Sequence, residues 1–104
     1  MTSFEIFKQI ASEYEGKITE TEKEISITAK TEKLGYSSNN GVTEWTISVR
    51  KYMDNGEMKY LLSGHEKGHW SGFSTSYSEG LTRQTLDSHH FKKKPFVQLS
   101  LFDF

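Results

Sequence analysis

Asp54-Asn55-Gly56-Glu57 constrains this chain more than any other stretch. Asn-Gly between two alternating runs favours a two-residue type I′ turn, because both central residues need positive φ. Such a turn fixes the register of its arms. Met53 then faces Met58, Lys51 faces Tyr60, Val49 faces Leu62 and Ile47 faces Gly64. One face of the hairpin carries Trp45, Ile47, Val49, Met58, Tyr60 and Leu62, and is expected to pack on the core. The other carries Thr46, Ser48, Arg50, Tyr52, Lys59 and Leu61, and is expected to meet water.

The flanking segments supply the remaining layers. Thr2-Ser3-Phe4-Glu5 has the form of a capping box, in which Thr2 and Glu5 satisfy each other's backbone N–H groups. Ile6, Phe7, Ile10, Ala11 and Tyr14 follow at one-face helical spacing, with Gly16 as the expected stop. Ile25, Ile27 and Ala29 alternate with Ser26, Thr28 and Lys30, the pattern of a half-exposed strand. Residues 35–41 form a loop by composition. Phe73, Thr75 and Tyr77 alternate and predict a short strand over 72–77. Ser76 and Glu79 are spaced for a second capping box, opening a helix over 78–90 with Leu81 and Leu86 as its apolar face.

These elements predict an α+β fold: an N-terminal helix on a sheet of three or four antiparallel strands, a second helix, and an extended C-terminal tail. Residues 1–91 form the expected domain, and 92–104 a basic linker and tail. A chain of 104 residues supports one domain with one modest core. The order helix–strand–strand–strand–helix resembles the double-stranded-RNA-binding domain. That family carries lysines at the start of its second helix, and residues 74–82 contain none.

Charge and composition narrow the function. A net charge of −1, with eleven lysines to two arginines, opposes general electrostatic wrapping of nucleic acid. With no cysteine there is no disulfide framework, thiolate zinc site or cysteine nucleophile. No stretch has signal-peptide or membrane-span character, so a cytoplasmic protein without membrane association is expected.

His65-Glu66-Lys67-Gly68-His69 matches the His-Glu-x-x-His string of zinc metallopeptidases, and resembles the His-Glu-x-Gly-His of some phage-associated peptidases. In that chemistry His65 and His69 hold zinc one helical turn apart, Glu66 is the general base, and His89 or His90 supplies a third ligand. The motif requires a helix, whereas glycines 64, 68 and 72 and the hairpin register predict a strand. Carried on in that register, His65, Lys67 and His69 share one solvent face, with Lys67 opposite Glu44. The expectation is therefore a non-enzymatic protein with neither metal nor cofactor. Trp70, Phe73 and Tyr77 among glycines and serines suit either core packing or a stacking surface for single-stranded bases. His89-His90 with Lys92, Lys93 and Lys94 is a solvated helix end or a small phosphate-binding patch.

The chain closes on Gln98-Leu99-Ser100-Leu101-Phe102-Asp103-Phe104, set off by Lys92–Lys94 and by Pro95, the only proline. Gln-Leu-Ser-Leu-Phe resembles the short peptide by which bacterial polymerases, mismatch-repair proteins and initiation regulators dock on the replication sliding clamp. The resemblance implies that Gln98 orients the peptide by hydrogen bonds, Leu99 and Leu101 anchor it, Ser100 spaces it, and Phe102 caps the clamp's pocket. It implies an accessory or regulatory protein of bacterial DNA replication or repair, of the kind that phages and mobile elements use to recruit or block host machinery. DNA is a possible further partner, through Lys92–Lys94, Trp70 and Phe73. The same tail also fits an ordinary closing strand, because Val97, Leu99 and Leu101 alternate with Gln98 and Ser100.

Overall fold

The computed structural model describes residues 2–32, 42–67 and 72–94. Helix α1 spans Ser3–Ala11 and is started by the expected capping box: Thr2 Oγ1 accepts from the Glu5 N–H at 3.2 Å, and Glu5 Oε1 accepts from the Thr2 N–H at 3.4 Å. It stops at Ala11, short of Gly16. There the Ser12 hydroxyl donates to the Lys8 carbonyl, and residues 13–15 turn to pair with 92–94. Phe4, Phe7, Ile10, Ala11 and Tyr14 are buried, so Phe4 joins the expected core face while Ile6 sits at its margin.

Among the described residues five strands form one antiparallel meander, β1 (Lys17–Glu20), β2 (Glu24–Glu32), β3 (Val42–Asp54), β4 (Glu57–Glu66) and β5 (Gly72–Ser76), paired in chain order. The sheet is therefore wider than the three or four strands expected. The addition is β1, an edge strand in which only Ile18 is apolar, too little for alternation to reveal. The β3–β4 register is the one the turn dictates, with Met53 opposite Met58 and Ile47 opposite Gly64. Asn55 and Gly56 take φ values of 51° and 81°. With five strands between the helices, the element order departs from that of the double-stranded-RNA-binding domain.

The inner face of the sheet carries Ile25, Ile27, Ile47, Val49 and Leu62, all fully buried. They pack with α1 and with Leu86 and Phe91 into one core, and each such side chain contributes about 1.5–3 kcal/mol of burial. Gly64 is required where it stands. A Cβ there would lie 2.3 Å from the Phe73 ring and 2.8 Å from Ile47 Cδ1. The outer face presents hydroxyls in a row across all five strands, Thr19, Ser26, Ser48, Ser63 and Ser74. Ser48, expected to meet water, is largely covered there and shares a 3.0 Å hydrogen bond with Ser63.

Helix α2 spans Glu79–Ser88. Its N-cap is Ser78, which accepts from the Leu81 N–H at 3.3 Å; Ser76, the expected cap, ends β5 instead. Its inward face is unusually polar, with Thr82 and Thr85 buried beside Leu86. Thr82 tolerates this because its hydroxyl donates to the Ser78 carbonyl at 2.9 Å.

Candidate functional site

The region with the most chemical character lies where α2 runs out and the chain turns toward its tail. Phe91, 5% exposed, is buried beside α1 and its N–H bonds the Leu86 carbonyl at 3.0 Å. That anchor draws the next residues against the segment following α1. The Glu15 N–H donates to the Lys92 carbonyl at 2.7 Å, the Lys94 N–H donates to the Glu13 carbonyl at 2.8 Å, and Tyr14 and Lys93 form an antiparallel bridge. The expected solvated helix end is thus replaced at Lys92–Lys94 by a backbone-paired ridge.

Side chains reinforce it. Lys93 Nζ lies 5.8 Å from the Tyr14 ring centroid, within cation–π range. Lys92 lines a surface pocket of about 310 Å³ with Glu15, Gly16, Ala29 and Lys30. Glu13 is engaged by Arg83 through two hydrogen bonds of 2.7 and 3.0 Å. That bond holds its carboxyl below the ordinary value, with the nearby Lys93 charge a smaller contribution. Tyr14 is fully buried and donates to Asp87 Oδ1 at 2.7 Å. Burial, then that bond, push its phenol well above the ordinary range. The clamp-like residues Gln98, Leu99, Ser100, Leu101 and Phe102 lie outside the described residues, beyond this ridge, and so does the alternative closing strand.

The His-Glu-x-x-His string is divided by the sheet. His65 and Glu66 are consecutive residues of β4, so they face opposite sides. His65 and Lys67 are exposed, and the Lys67 N–H bonds the Glu44 carbonyl at 2.9 Å as the register requires. Glu66 turns inward opposite Trp45, is 2% exposed, and accepts from Thr43 Oγ1 at 2.5 Å. The helix that a zinc-peptidase motif needs is absent over 57–66; His69 lies outside the described residues.

Phe73 stands opposite Gly64 on the inner face, away from the outer hydroxyl face. Its ring stacks on His89 with centroids 5.5 Å apart, and His89 in turn lies 4.2 Å from the Trp45 ring. His89 Nδ1 is 2.8 Å from the Thr85 carbonyl, so the imidazole closes the end of α2 over two aromatic side chains. Phe73 is consequently half-buried packing; Trp70 lies outside the described residues. The Tyr77 hydroxyl is buried near Thr82, and burial raises its phenol while Thr82 offsets part of that rise. This cluster joins residues up to 44 positions apart (Trp45 to His89), and no local pattern announces it. On the outer face Arg50, Lys59 and Lys67 are each paired with a carboxylate, and Lys17 and Lys30 share that face.

The described elements define an α+β protein, with a five-stranded meander flanked in sequence by two helices among the described residues. No family model, curated protein or solved structure matches the chain. No described helix is long and apolar enough to cross a membrane.

Proposed function

We propose that this protein is a non-enzymatic accessory or regulatory factor of bacterial DNA replication or repair, acting in the cytoplasm, that docks on the sliding clamp through residues 98–102. The observation that carries the reading is the agreement at all five positions of Gln98-Leu99-Ser100-Leu101-Phe102 with the clamp-docking peptide. An extended peptide with two or three apolar anchors and one polar orienting group suits a hydrophobic groove, and its ordering entropy is lost on binding.

One feature of the folded part supports it. The last described residue, Lys94, is fixed to Glu13 by its backbone, so the motif begins four residues from a rigid point. In this reading Gln98 orients, Leu99 and Leu101 anchor and Phe102 fills the pocket. Lys92 and Lys93, exposed on the adjoining ridge, then stand near any DNA the clamp holds. Capture by purified clamp of the wild type, compared with a Leu101→Ala, Phe102→Ala variant, tests the docking. A steeper salt dependence of binding to a clamp–DNA complex than to clamp alone tests the lysines.

A further inference from the structure

The β3–β4 hairpin projects past everything that supports it. Pairing of β2 with β3 begins at Glu24 and Arg50 and β5 pairs β4 as far as Leu61, with one further backbone bond on each side, Lys51 N–H to the Lys23 carbonyl and Tyr77 N–H to the Tyr60 carbonyl. Phe4, at the start of α1, meets Tyr60 edge-on at 5.8 Å and lies under Lys51, whose Nζ is 5.3 Å from the ring centroid. The next pair outward, Met53 and Met58, therefore overhangs on the helix side of the sheet. Met53 is 61% exposed and Met58 49%, although the sequence pattern places Met58 on the packed face. With Tyr52, Lys51 and Lys23 they line a cleft of about 400 Å³. Methionine is flexible and polarizable, suited to a surface that receives apolar side chains.

We infer that this cleft receives the chain's own C-terminal segment, residues 101–104. The segment supplies Leu101, Phe102 and Phe104 for the methionines, and Asp103 for Lys23 and Lys51. Reach permits the contact in cis. From Glu13, where Lys94 is fixed, to Phe4 is about 13 Å along the helix, and the methionine pair lies roughly 7 Å further. Seven residues from Lys94 to Leu101 extend to about 23 Å. A shallow groove lined by Glu5, Lys8, Gln9 and Ser12 follows α1 along that path. A tether this short gives a millimolar effective concentration, so even a weak contact is substantially occupied. The contact does not depend on the clamp; its consequence rests on the reading above. A tail held on the hairpin is withheld from the clamp until the clamp outcompetes it.

The test is methyl NMR of the full chain labelled at methionine. The Met53 and Met58 methyl resonances are expected to differ between wild type and a Leu101→Ser, Phe102→Ser variant, independently of protein concentration. Identical resonances overturn the inference, and so does a difference that vanishes on dilution, which assigns the contact to a second copy. With half to four-fifths of the tails occupied, a Met53→Ser, Met58→Ser variant binds clamp about two- to five-fold more tightly. If wild type shows the methyl difference yet no clamp binding, the clamp reading fails and the contact stands.

Discussion

The Tyr14 phenol donates to Asp87 Oδ1 at 2.7 Å across 73 residues of sequence, tying the segment after α1 to the last turn of α2. The backbone of the same tyrosine bridges Lys93, whose Nζ lies over its ring, so one residue organises the segment that leads into the tail. Tyr14→Phe keeps the ring and removes only the hydrogen bond. Because Asp87 is exposed and can be rehydrated, the expected cost is about 1 kcal/mol in urea unfolding.

The same phenol gives an alkaline signature. Its folded-state pKa is raised above the ordinary 10.0, by burial first and by Asp87 second. Below about pH 10 both states keep the proton and its contribution is fully present. Above that, the unfolded chain ionises while the folded one does not, so stability falls as pH rises. Tyr77, raised by burial, acts in the same direction. Urea midpoints between about pH 8 and about pH 11 should therefore fall more steeply for wild type than for Tyr14→Phe.

Arg83 and Glu13 predict the opposite dependence. The paired carboxyl lies below its ordinary 4.5, so its stabilisation is present above that value and is lost as pH falls through the folded-state pKa. Both side chains are more than one-third exposed, and solvent screening limits the pair to about 0.5–1 kcal/mol. Glu13→Gln and Arg83→Ala should each lose about that much at neutral pH. The difference from wild type should shrink below about pH 4.

Two glycines separate backbone strain from crowding. A Cβ at Gly56 meets nothing within 4 Å, so Gly56→Ala costs only its positive φ of 81°, about 1–2 kcal/mol. Gly64→Ala meets Phe73 and Ile47 and costs about 1–3 kcal/mol. Introducing Phe73→Leu should reduce the Gly64→Ala penalty and leave the Gly56→Ala penalty unchanged, as measured by double-mutant cycles.

The hairpin register was legible because two residues, Asn55 and Gly56, dictate it without help from the rest of the chain. Strand β1 was not, since a four-residue edge strand with one apolar residue carries almost no periodicity. The cap of α2 moved from Ser76 to Ser78 because both serines satisfy the local rule and the strand claimed the first. Met58 alternates correctly, yet whether a helix covers it depends on where α1 begins relative to the hairpin. The Trp45–His89–Phe73 cluster and the pairing of 13–15 with 92–94 are tertiary outcomes that no short window contains.

Clamp capture bears most directly on the function. Wild-type protein should bind purified bacterial sliding clamp, and the Leu101→Ala, Phe102→Ala variant should lose about 2 kcal/mol or more, roughly thirty-fold in affinity, with its thermal unfolding unchanged. Absence of wild-type binding, or equal binding by the variant, would contradict the account.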